Sequence, residues 1–280
     1  MISTLTRPIS VFLFLLLSPV FGVHAATEPA AKAPPSPQTA AAQEATISAA
    51  ARIQPLRPGF AFPTQTLRYE AEYRFWTAGV ATLKIQRSGS QMLMLGTADS
   101  AGVAAMLFKV QDRFESYFDA TKLCSQSLTK HTEEGSRRRD TQIVFDYKAG
   151  KSVLNETNLK TNEKKREEHD IPGCVTDVMS GVLYVASLPL TPNATYAFPL
   201  NDGGNTVTVQ AHVEAKEQVK TPAGTFQTIR VGPEGDYGPL KNRGRIWIWY
   251  TDDAQHLPVQ MRARLFWGTL TVYLTGVDGK

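Results

Sequence analysis

Residues 67–75 read Leu-Arg-Tyr-Glu-Ala-Glu-Tyr-Arg-Phe. Apolar and charged side chains alternate there without a miss. A period of two places one set on a buried face and the other in water, which is the pattern of a half-buried strand. The same rhythm returns at Ala81/Leu83/Ile85, Val207/Val209/Ala211/Val213, Ile246/Ile248/Tyr250, Val259/Met261/Ala263/Leu265/Trp267 and Leu270/Val272/Leu274. Ile143-Val144-Phe145 reads as a further strand before a turn at Lys148–Lys151.

The connections are short. Thr221-Pro-Ala-Gly224 separates two strand patterns with residues suited to a tight hairpin, and Gly268 separates two more. Short returns require antiparallel neighbours, because parallel strands need long crossovers. One helix is expected after Thr176 or Asp177, where Val178, Met179, Val182, Leu183, Val185 and Ala186 fall at helical spacing before Pro189. Ala101–Val110 (AGVAAMLFKV) reads as a second short helix or an apolar loop. The expected fold is mainly β: a single curved antiparallel sheet, half-barrel or barrel-like, with one or two short helices packed on it.

Ahead of this domain, assigned to residues 65–280, lie two segments of different texture. Residues 1–25 carry a short start with the single cation Arg7, an apolar run at Val11–Val23 and small residues at Ala25 and Ala26. That is the three-part pattern of a cleavable export signal, with the cut after Ala25 or Ala26. The run is shorter than the roughly 18 apolar residues of a membrane span. No cysteine follows it, which argues against lipid modification. Residues 26–64, rich in Ala, Pro, Thr and Gln, read as a disordered linker, since such a stretch buries too little surface to offset its ordering entropy. The mature chain is thus expected in the periplasm or outside the cell, without a transmembrane segment. Its last residues, Gly276-Val-Asp-Gly-Lys280, lack the terminal aromatic strand of an outer-membrane barrel.

Export bears on the two cysteines. Cys124 and Cys174 are best read as one disulfide, because an oxidising compartment favours pairing. Neither has a CxxC partner or a nearby histidine, so no metal site is expected. The net charge of +4 is mild. Arg137–Arg139 and Lys164–Arg166 are answered by neighbouring acids, which excludes the basic stripe of a nucleic-acid binder.

The chain lacks HExxH, GxSxG, a phosphate loop and GxGxxG. Ser127-Leu-Thr-Lys130 matches SxxK, but in a strand those positions face opposite ways. His131 begins His-Thr-Glu133 but lacks the cysteine pair that would complete a deaminase zinc site, His169, His212 and His256 are isolated, and Asp252-Asp253 reads as a turn. No catalytic residue and no cofactor is assigned, so the chain is not expected to be an enzyme. The aromatics are more suggestive. Trp247 and Trp249 fall on the face opposite Ile246 and Ile248, and Phe266 and Trp267 take both faces of the next strand. A strand apolar on both faces is either covered on both sides or lines a cavity. Trp76, Trp247, Trp249 and Trp267 are therefore the candidate ligand-binding residues.

Ordered pieces along the chain resemble a bacterial family, the domain of unknown function 3108 family. They are Tyr73-Arg-Phe-Trp76 with Gly79–Leu83, Asp112–Ser116, Asp177–Ser180, Thr221–Phe226, and Ile246–Asp253 followed by Leu257–Gln260. The resemblance implies an exported, β-rich envelope protein and no activity. The layout also looks like that of periplasmic lipoprotein carriers, which hold acyl chains in an open half-barrel. Three partners or tasks then compete: a lipid or other apolar envelope ligand held by a binding or carrier module, an envelope protein contacted by a scaffold, and envelope material cut by a hydrolase.

Overall fold

A computed structural model describes residues 51–204, 206–233, 245–265 and 268–279. The export-signal assignment lies outside these residues. Fourteen strands form one antiparallel sheet. The first eight run in sequence: β1 (Gln65–Tyr73), β2 (Trp76–Ser88), β3 (Gln91–Ser100), β4 (Val110–Asp119), β5 (Ser125–Glu134), β6 (Arg137–Asp146), β7 (Lys151–Asn158) and β8 (Lys164–Asp170). The other six follow a helix: β9 (Thr195–Leu200), β10 (Val207–Thr221), β11 (Gly224–Pro233), β12 (Arg245–Thr251), β13 (Pro258–Leu265) and β14 (Gly268–Asp278). Every neighbour in sequence within each run is a neighbour in the sheet, and β14 pairs with β1, Thr66 facing Asp278 and Tyr73 facing Leu270. The order is therefore β8 to β1, then β14 to β9, with β8 and β9 as the two free edges. The sheet curls without closing.

Among the described residues two helices accompany it: α1 (Gly102–Leu107), between β3 and β4, and α2 (Val178–Ala186), between β8 and β9. Helix α2 is the plug. Met179, Leu183, Tyr184, Val185 and Ala186 are all buried, and Tyr184 packs edge-on to Phe198 of β9 with ring centroids 4.8 Å apart. A helix apolar nearly all round belongs inside a core, not on a surface. Its first turn is held by Asp177, as the sequence predicts. One carboxylate oxygen accepts the N–H groups of Met179 and Ser180, and the other accepts the hydroxyls of Ser116 on β4 and Ser125 on β5 at 2.7 and 2.6 Å. A buried carboxylate with four donors is fully satisfied. It joins helix to sheet.

Cys124 and Cys174 form the expected disulfide, tying the β4–β5 turn to the segment entering α2. The seam between β8 and β9 is bridged without strand pairing. Thr176 N–H bonds Pro199 O, and Asn201 N–H bonds Thr176 O. The following turn bends inward, so that a side chain at Gly203 (φ +97°) would strike Ile143 and Leu154.

Residues 51–64, placed in the linker by composition, have no helix or strand. Ile53, Leu56 and Phe62 nevertheless pack on the core, and Arg57 N–H bonds Ser187 O at the end of α2. The packed unit therefore begins ahead of Gln65.

Candidate functional site

Antiparallel order sorts the connections into two poles. The β2–β3, β4–β5, β6–β7, β10–β11 and β12–β13 turns share one pole with α2, the disulfide and residues 51–64. The β1–β2, β3–β4, β5–β6, β7–β8 and β9–β10 connections lie at the other.

Among the described residues, two connections at this second pole carry exposed apolar side chains. The β1–β2 hairpin turns through Arg74, at φ +58°, and Phe75, with Tyr73 facing Trp76. Phe75 is 93% exposed and Trp76 70%. Alongside runs α1, anchored by Ala101 N–H to Ala78 O on β2. Its Met106 is 86% exposed and Leu107 83%, with Val103 and Val80 of β2 about half exposed. Solvent-facing aromatic and long aliphatic side chains grouped on adjacent turns mark a contact surface.

Beneath this rim the packing changes character. Ala104 and Phe108 lean on a small cluster of Ala71, Ala78, Ala98, Val110, Leu270 and Val272, separate from the main core around α2. Phe108 lies over Gly135 of the β5–β6 turn, where a Cβ would come within 2.5 Å of the ring. Helix α1 has no side-chain N-cap and no buried residue. It is held by Phe108 and by backbone bonds at its two ends.

Polar groups line the sheet's inner side nearby. Asp112 is fully buried on β4. One oxygen accepts Glu133 N–H at 3.0 Å, and the other has no hydrogen-bond partner. Burial, then repulsion from Glu134, pushes its pKa up to about 8. Lys130 pairs with Asp202 at 3.0 Å, and Arg139 with Glu156. Among the described residues no three His, Cys, Asp or Glu side chains gather as a metal would require.

The four candidate tryptophans do not come together. Trp267 lies outside the described residues. Trp76 sits at the rim. Trp247 and Trp249 share a face, as expected, but it is the face turned away from α2. The neighbouring Tyr250 points inward and donates its hydroxyl to Val182 O, while Trp249 pairs across with Arg230. Trp249, only 4% exposed, donates its indole N–H to Glu217 at 2.7 Å, and Trp247 donates to Glu214 at 3.0 Å. Arg230 pairs with both glutamates, and Arg262 lies over the Trp249 ring at 5.3 Å. These rings are covered by a charged lattice on the outside of the sheet, so the expected lining between sheet and helix is not formed by them.

The histidines and acidic pair resolve into local contacts. His131 meets Asp140, His212 meets Thr195, and His169 lies by Glu167. Asp253 stabilises its own turn by accepting from Gln255 and His256 N–H, while Asp252 pairs with Lys216. Sequence reasoning missed Phe75, Val103, Met106 and Leu107 as surface residues. The available signal was Arg74-Phe75 at a turn where Gly or Asn is usual.

No curated protein matches the chain. Among solved structures it is similar to a β-barrel-like protein of domain of unknown function DUF1849 from Brucella abortus, with 9% identity over 79% of this chain and 100% of that one and a TM-score of 0.56. It also matches a proposed exported protein with a YmcC-like fold from Bacteroides fragilis, at 9% identity, 79% and 99% coverage and a TM-score of 0.35. A proposed lipoprotein from Parabacteroides distasonis aligns at 10% identity, 78% and 98% coverage and a TM-score of 0.30. The first likeness shows a shared β-barrel-like fold and nothing finer. A family model matches residues 68–275, three-quarters of the sequence, and the chain therefore belongs to the DUF3108 family of proteins of unknown function.

Proposed function

We propose that this protein is a non-catalytic binding module of the periplasm, and that it takes an apolar, envelope-derived ligand at the rim rather than between sheet and α2. The observation that carries this reading is the exposure of Phe75, Trp76, Met106 and Leu107 on two adjacent connections. Burying one such side chain is worth about 1.5–3 kcal/mol, so leaving four in water calls for a partner. The flanking cations favour lipid. Arg74 and Lys109 are exposed on either side, and aromatic rings with nearby cations suit the boundary between acyl chains and headgroups.

The test is flotation of the purified mature protein with phosphatidylethanolamine–phosphatidylglycerol vesicles, alongside mass spectrometry of apolar molecules retained in native purification. Phe75→Ser with Trp76→Ser, and separately Met106→Ser with Leu107→Ser, should each lower vesicle partitioning at least tenfold with the fold intact by circular dichroism. Partitioning unchanged in both pairs would remove the rim from the function. A wild-type protein that neither floats nor retains lipid, but self-associates or captures an envelope protein through these residues, would replace this reading with the scaffold.

A further inference from the structure

At the opposite pole, residues 51–64 cross the end of α2 as a strap. Gln54 N–H bonds the Tyr184 hydroxyl at 3.0 Å, Arg57 N–H bonds Ser187 O at 3.1 Å, and Phe62 packs edge-on to Phe118. Its charged contact is Arg57, whose guanidinium donates to Ala254 O at 2.8 Å and reaches His256 Nε2 at 3.2 Å. His256 is 5% exposed, and its Nδ1 lies 2.9 Å from Ala186 O in the last turn of α2.

These partners fix the protonation state. A guanidinium only donates and a carbonyl only accepts, so Nδ1 must carry the hydrogen and Nε2 must be bare. A second proton on Nε2 would set an N–H against the guanidinium and place two cations 3.2 Å apart. We propose that Arg57 and His256 form a latch, which holds the strap against the closed pole at neutral pH and releases it when His256 gains its second proton.

The surroundings set the direction. Burial and then Arg57 lower the pKa of His256, while Ala186 O, Asp253 and Asp252 oppose this. Asp252 is itself engaged by Lys216 from β10, and α2 brings no charged side chain. A histidine whose pKa is lower folded than unfolded contributes stability at high pH, and that contribution is lost as pH falls below the ordinary value of about 6.5. Acid therefore weakens the strap.

Hydrogen exchange of the mature protein at pH 7.5 and 5.5, corrected for intrinsic rates, reads the strap directly. Exchange over residues 51–64 should rise at least fivefold at pH 5.5 while α2 and β4 stay protected. His256→Asn keeps a neutral amide near Ala186 O and tolerates the positive φ of +46° found here. In that variant the strap should exchange equally at both values. Arg57→Met should exchange fast at both, and should raise the midpoint of the His256 imidazole resonance. Equal exchange of the wild-type strap at both pH values, pH dependence that persists in His256→Asn, loosening of the whole domain together, or an unmoved His256 midpoint would each overturn the latch.

Discussion

Asp112 is a buried carboxyl with one oxygen left without a hydrogen-bond partner. Its ordinary carboxyl pKa of 3.8 rises to about 8 in the fold, with burial the first cause and Glu134 the second. Between those values the folded state holds a proton that the unfolded state has released. The contribution of Asp112 to stability is therefore full below its ordinary pKa of 3.8 and is lost as pH rises from there through about 8. Asp112→Asn keeps an oxygen for Glu133 N–H and removes the ionisation. It should raise stability at pH 8.5 by about 1–3 kcal/mol, and much less at pH 5. Thermal midpoints at the two values check this, and an equal shift at both would contradict it. Asp177 shows the contrary case. It is equally buried, but its four donors leave neither carboxylate oxygen unpaired.

Among the elements, legibility followed periodicity. Strand β1 could be read because apolar and charged residues alternate on its two faces. Strand β8, KKREEHD, could not, since both its faces are charged and none of its residues is buried. Such charge blunts a free edge against pairing with another chain. Helix α2 was visible from its capping acid and apolar spacing. Helix α1 was ambiguous because six residues cannot establish a period. The rim stayed hidden because exposed apolar residues look like core in one dimension, and the latch because Arg57 and His256 are 199 residues apart. The β4–β5 turn and the entry to α2 depend on the disulfide closing a 50-residue loop. Replacing both cysteines by alanine should lower stability by about 4 kcal/mol in the chain-entropy model, measured by denaturant unfolding under oxidising conditions.

For the molecule as a whole, the decisive contact is β1 with β14. The two strands are separated by nearly the whole domain, and they join the two meanders into one sheet. Pairing over such a sequence distance imposes a large loop-closure entropy before it yields contacts, so refolding should be slow, on the order of milliseconds to seconds. Leu274 is fully buried at this junction, opposite Tyr69. Leu274→Ala should cost about 2–5 kcal/mol and be seen as a lower denaturation midpoint. If the two meanders instead unfolded in separate transitions, the single-sheet description would have to be divided.

The pairing of Thr66 with Asp278 has a practical reach. It sets the entry and the exit of the β-domain side by side, at the pole that bears α2 and the strap. Whatever is joined to the domain at Thr66 or Asp278, whether a fused reporter, a resin or an optical-trap handle, grips it from behind. The Phe75–Leu107 rim then lies at the far pole, like the working tip of a tool held by its handle.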